Sequence, residues 1–171
     1  RERMCVLNYD EIEVETLQHL LSSKGSCIDK DTICQCFNSI QLNYSYALGG
    51  LISAYYLEQY RKDPEKTKKD FYDFSNVTNL DFMFTNCGSL LTIPLIDTSK
   101  VNNMNNMFYY CRSLQSIPLI DTSNVTTMNY MFAYCPVLQT IPALNTSNVK
   151  DRNNMFNGCS NLQSIPLIDT S

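Results

Sequence analysis

The sequence predicts an α+β chain in which a small helical domain over residues 1–74 precedes a leucine-rich-repeat-type solenoid of 24-residue coils with short parallel strands. Three observations predict it. The segments 75–98, 99–122, 123–146 and 147–170 align without a gap, and the same apolar columns recur in all of them. Residues 1–74 lack that period and show helical spacing instead.

The helical domain is read first. Glu11 to Ser22 places Ile12, Val14, Leu17, Leu20 and Leu21 near one side at three-to-four spacing. Asp31 to Asn38 fits a short second helix, and Tyr44 to Lys62 a longer one weakened by Gly49-Gly50. Asp63-Pro64-Glu65 is a good start for a last helix running through Tyr72, since proline suits the first helical position. A solenoid exposes its first coil unless something apolar covers it, so this segment is expected to cap the array. The alternative is a docking or oligomerising domain, with Tyr44, Tyr46, Tyr55, Tyr56 and Tyr60 as contact surface.

The array comes next. Its constant columns are Val77, Val101, Val125 and Val149; Met83, Met107, Met131 and Met155; Phe84, Phe108, Phe132 and Phe156; and Cys87, Cys111, Cys135 and Cys159. Leu90, an Ile-Pro pair at 93–94 and Thr98 recur in the same way. An unbroken period of this size marks coils that bury their apolar side chains only against neighbouring coils. Leu114-x-x-Ile117-x-Leu119-x-x-Thr122 has the spacing of a repeat strand, with Leu114, Ile117 and Leu119 expected inward and Pro118 and Ile120 outward. Each recurring proline removes a ladder donor, so pairing of only about three residues per coil is expected. Asp121-Thr122-Ser123-Asn124 supplies turn residues, and Met-Phe-x-x-Cys returns on the opposite side. Met83, Phe84, Cys87, Leu90, Ile93 and Leu95, with their equivalents, are expected inside. Arg152 interrupts the column of Leu80, Met104 and Met128, which places that column at the edge of the interior.

The signature Met107-Phe108-x-x-Cys111-x-Ser113-Leu114-x-x-Ile117-Pro118-Leu119-x-Asp121-Thr122-Ser123-Asn124-Val125 closely resembles the BspA-type leucine-rich repeats of bacterial surface proteins. The resemblance covers residues 75–171. It implies adhesion and binding, offers no catalytic residue to carry over, and favours the cell surface or a virion as location. The array is expected to continue beyond Ser171, the first residue of what would be a fifth coil.

Charge narrows the functions. A net charge of -4 leaves no basic surface from which phosphates could displace counterions, which disfavours nucleic acid. The longest apolar stretches, such as Tyr46 to Tyr56, are too short to cross a bilayer, so no membrane span is expected. Motifs for phosphate loops, nucleophile elbows, zinc proteases and dinucleotide sites are missing. His19, the single histidine, reads as a surface residue. Cys27, Cys34 and Cys36, with Cys5 distant, lack the paired spacing of a structural zinc site and read as reduced buried thiols, the alternative being a local disulfide between Cys27 and Cys34 or Cys36. The column Cys87 to Cys159 reads as thiols packed inside. Equivalent Cβ bonds on coils about 4.8 Å apart run parallel, and a disulfide prefers about 3.8 Å. Asp97, Asp121 and Asp169, interrupted by Asn145, read as solvated turn carboxylates and not as a calcium site. No catalytic residue, metal or cofactor is expected.

The positions that vary between copies carry the functional expectation, because packing does not dictate them. Tyr110 and Tyr134 are equivalent on adjacent coils, Tyr109 and Tyr130 lie close by, and Phe82 shares the column of Tyr130. Tyrosine gives large, fairly rigid contact area, which makes these residues the candidate partner-binding edge; the alternative is that the rings merely cover the coil edges. The chain is therefore expected to be a non-enzymatic recognition or adhesion module with a protein partner or host-surface component. A rival reading is a structural part of a large homo- or hetero-assembly, such as a phage virion or tail, anchored through residues 1–74 with the array projecting. An enzyme whose catalytic domain lies elsewhere is a second rival, for which no residue argues.

Overall fold

A computed structural model describes residues 56–57, 59–67 and 69–166. The helices expected before Tyr56, His19, Cys5, Cys27, Cys34, Cys36, Tyr44, Tyr46 and Tyr55 lie outside the described residues, as do Asp169 and Thr170.

The backbone is helical at 56–57 and 59–62, and α1 follows at Pro64–Thr67. Asp63 caps α1: its carboxylate accepts from the Lys66 N–H at 3.1 Å, and Pro64 occupies the first helical position, where no donor is lost. The expected run to Tyr72 does not form. Turns at Lys69 and Asp70 end the helix, and β1, Phe71–Tyr72, pairs in parallel with β2, Leu95–Ile96. The pairing Phe71↔Leu95 and Tyr72↔Ile96 is offset by 24 residues. Structurally the period thus begins at Phe71, and Tyr72 and Phe74 are already core residues.

From there the units stack. Parallel bridges run Asn79↔Asn103↔Thr127↔Asp151 along the stack. Beyond them, alternate N–H groups of one unit donate to the next: Phe82 to the Asn105 carbonyl, Phe84 to Met107 and Asn86 to Tyr109, at 3.0, 2.8 and 2.8 Å. The same set recurs from Asn106, Phe108 and Tyr110, and again from Tyr130, Phe132 and Tyr134. Most bonding between units therefore lies on the Met-Phe side. Among the described residues the Leu-x-x-Ile-Pro-Leu side, where the strand was expected, holds β1 and β2, an isolated bridge Thr140↔Ser164 and single bonds from the Gln115 and Gln163 N–H groups to the Leu91 and Gln139 carbonyls.

The interior is built from columns. Val77, Leu80, Met83 and Phe84 are fully buried, as are their equivalents in the next two units. The four phenylalanine rings stack at 5.5, 5.4 and 5.7 Å between centroids, within 10° of parallel. Buried polar groups are satisfied across units. Thr98 Oγ1 donates to the Asp121 carbonyl at 2.6 Å and Thr122 Oγ1 to the Asn145 carbonyl at 2.7 Å. In the opposite direction Cys111, Cys135 and Cys159 donate their thiols to the carbonyls of Phe84, Phe108 and Phe132 at 3.0–3.1 Å.

Two expectations about the interior are corrected, and at the ends of the described array Cys87, Phe156, Cys159 and Leu162 are half-buried and Ile165 is exposed. Leu119 is 65% exposed, Ala143 is exposed and Leu95 is only half-buried, whereas Ile96, Ile120 and Leu144 are buried. The strand alternation that put Leu119 inward does not describe this side: residues 117–122 have no strand pairing, and within the paired β2 Leu95 is likewise the more exposed residue and Ile96 the buried one. The column of Arg152 is interior and not an edge, since Leu80, Met104 and Met128 are all fully buried. Arg152 is half-buried because it stands in the last described unit, where its column is no longer enclosed from both sides.

Candidate functional site

The backbone sets the site before the side chains do. In each unit two residues have φ between 54 and 75°: Phe82 and Asn86, Asn106 and Tyr110, Tyr130 and Tyr134, Asn154 and Gly158. Several close turns in which the N–H of the following residue bonds three residues back, as with Met83 to the Leu80 carbonyl and Cys87 to the Phe84 carbonyl, both 3.1 Å. A positive φ at the third residue is what such a turn requires when it is of type II. The eight residues form two columns along one side of the stack.

In the second and third units these columns bring the expected tyrosines together. Tyr110 and Tyr134 stack at 4.6 Å and 13°. Tyr109 stands edge-on to Tyr110, Tyr130 and Tyr134 at 4.6, 6.2 and 5.7 Å, so it reaches across to the next unit above the small, fully buried Ala133. All four rings are half-buried. Asn154 and Asn157 donate to the hydroxyls of Tyr130 and Tyr134 at 3.0 and 3.3 Å. Tyr109 is harder to ionise than an ordinary tyrosine, first through desolvation and next through the neighbouring Tyr110. The Arg112 guanidinium lies 5.7 Å from the Tyr110 ring centre, and a Cβ on Gly158 would stand 2.7 Å from the Tyr134 ring. Phe82, 41% exposed, stays apart from this cluster and has no ring contact among the described residues.

A family model described as "Mycoplasma protein of unknown function, DUF285" matches residues 56–169. The chain belongs to the DUF285 family. No curated protein and no solved structure matches it. The DUF285 match begins at Tyr56, and so takes in α1 and β1 as well as the units.

The thiols and turn carboxylates of this DUF285 chain bond within the repeat. Burial pushes the Cys135 thiol up to about 12 and the Cys111 thiol still higher, so both hold their protons and serve as donors. Cys87, Cys111, Cys135 and Cys159 are free thiols. The turn carboxylates act locally: Asp97 and Asp121 each accept from both the N–H and the hydroxyl of the serine two residues on, and Asn145 does the same with Ser147. Those bonds hold Asp121 below the usual carboxylate range. Among the described residues no three His, Cys, Asp or Glu side chains gather as metal ligands, and no helix is long and apolar enough to cross a membrane. A cavity of about 440 Å³ is lined by Tyr56 and Tyr60 together with Leu91, Ile93, Ile117 and Pro118.

Sequence reasoning did not find the left-handed columns. The signal was present: Asn86, Asn106, Asn154 and Gly158 stand where the other copies have tyrosine or phenylalanine, and Asn and Gly are the residues that tolerate positive φ.

Proposed function

We propose that this chain is a non-enzymatic protein-recognition or adhesion module built on a leucine-rich-type solenoid, with the tyrosine-bearing edge facing a protein partner or host-surface component. The observation that carries the proposal is the cluster of Tyr109, Tyr110, Tyr130 and Tyr134, half-buried rings on two adjacent units at positions outside the core columns. Such a surface combines apolar area with hydroxyl groups and needs no titrating residue.

The test is adhesion of beads coated with the full chain to cultured epithelial cells, beside beads coated with a Tyr110→Asn/Tyr134→Asn variant and with albumin. The full chain should adhere well above albumin, and the variant should lose most of that difference. Adhesion of the full chain no better than albumin would overturn the reading. Equal adhesion of chain and variant would move the contact surface to residues 1–74 or to other faces of the units.

A further inference from the structure

Every non-glycine residue with positive φ among the described residues falls in the two left-handed columns, 82/106/130/154 and 86/110/134/158. Half of the eight positions hold what the backbone favours there, namely Asn86, Asn106, Asn154 and Gly158. The other half, Phe82, Tyr110, Tyr130 and Tyr134, hold bulky aromatics, which are adverse in this conformation. Core packing does not demand them, since equivalent positions accept Asn without any break in the ladder between units. Ring stacking offsets the adverse backbone for Tyr110 and Tyr134, but Phe82 is exposed and has no ring partner among the described residues. An exposed aromatic kept against its backbone preference is the pattern of a residue placed for contact.

We infer that these two columns are the recognition positions of the repeat, with Asn or Gly as the structurally favoured occupant and aromatics as the contact residues, and that here they bind an uncharged stretch of polypeptide. This rests on the reading of the chain as a recognition module. None of the eight positions carries a charge, so charged partners gain nothing from them. The stacked pair has its ring faces occupied: Tyr110 and Tyr134 cover each other, Arg112 lies over Tyr110, and Gly158 lies against Tyr134. Of this stacked pair, ring edge and hydroxyl remain outward. A sugar ring packs on an aromatic face, whereas peptide amides and small apolar side chains match edges and hydroxyls.

Two measurements test this. In the first, Phe82→Asn and Tyr130→Asn are introduced singly into the full chain and thermal unfolding is followed. A Tm at or above that of the parent is expected, and a fall of more than about 5 °C would show that the rings hold the fold and overturn the inference. In the second, random dodecapeptides displayed on phage are selected on the immobilised chain. Uncharged peptides should be enriched, binding the Tyr110→Asn/Tyr134→Asn variant about tenfold more weakly and changing less than about twofold between roughly 0.05 and 0.5 M NaCl. Charged peptides with steep salt dependence, peptides indifferent to the substitutions, or no enrichment would each overturn it. Failure of cell adhesion alone would sink the adhesion reading and leave the unfolding and peptide results standing, so the two failures are distinguishable.

Discussion

At the scale of single residues, the repeat directs polar side chains at main-chain carbonyls of the neighbouring unit. Cys111 and Cys135 illustrate the point, because each is fully buried and gives its S–H to a phenylalanine carbonyl one unit back. Their raised pKa predicts inertness: with iodoacetamide at pH 8, peptide mapping should find both unmodified in the folded chain and modified after addition of denaturant. Asp81 presents the opposite case, a carboxylate whose pKa is raised by partial burial in a column otherwise made of Asn105, Asn129 and Asn153. The folded form binds that proton more tightly than the unfolded chain, so its contribution to stability is present below the ordinary value of 3.8 and is lost as pH rises through the folded pKa. Asp81→Asn should therefore raise Tm at pH 7, and the gain should vanish on acidification below 3.8. Asp121, lowered by Ser123, acts with the other sign: its contribution is present above 3.8 and is lost as pH falls through the folded pKa.

At the scale of the element, the unit is a succession of turns held by its neighbours and not a strand with a return. Phe132 sits between Phe108 and Phe156 with its ring fully buried. Phe132→Ala should cost about 3–5 kcal/mol in equilibrium unfolding, because a cavity opened between stacked rings has no side chain free to fill it. The interior Met, Phe and Leu columns were legible in the sequence, since apolar identity repeated every 24 residues has no other simple cause. The inward assignment of Leu95 and Leu119 was not. Alternation counted from Ile93 and Ile117 fails even at Leu95–Ile96, where the backbone is paired as β2; the better guide was Ala143, which shows that the column of Leu119 tolerates a small side chain while that of Ile120 keeps Leu144. The thiol and threonine bonds were illegible because their acceptors are carbonyls, identical for every residue type. For the candidate site, the closeness of Tyr109, Tyr110, Tyr130 and Tyr134 followed from the period, but the left-handed backbone beneath three of them did not.

At the scale of the whole molecule, the same main-chain ladder and phenylalanine stack recur between neighbouring described units, which makes a unit exchangeable as a block. Deletion of residues 99–122 joins Thr98 to Ser123 and brings Phe84 into the register that Phe108 holds toward Phe132. The shortened chain should still unfold cooperatively, at lower Tm and with a smaller denaturant m-value, since one interface and its buried surface are gone. A deletion that is not a multiple of 24 residues should abolish folding of everything after the junction. The parallel aromatic columns have one more consequence, an optical one. The chain has no tryptophan, so its near-ultraviolet absorption comes chiefly from tyrosine, and two of those chromophores are locked face to face at 4.6 Å with a third edge-on to both. Rings fixed in an asymmetric arrangement give near-ultraviolet circular dichroism, and that signal is lost when side-chain packing melts. The tyrosine edge is thus its own dichroic reporter, able to register loosening of the second and third units without any attached label.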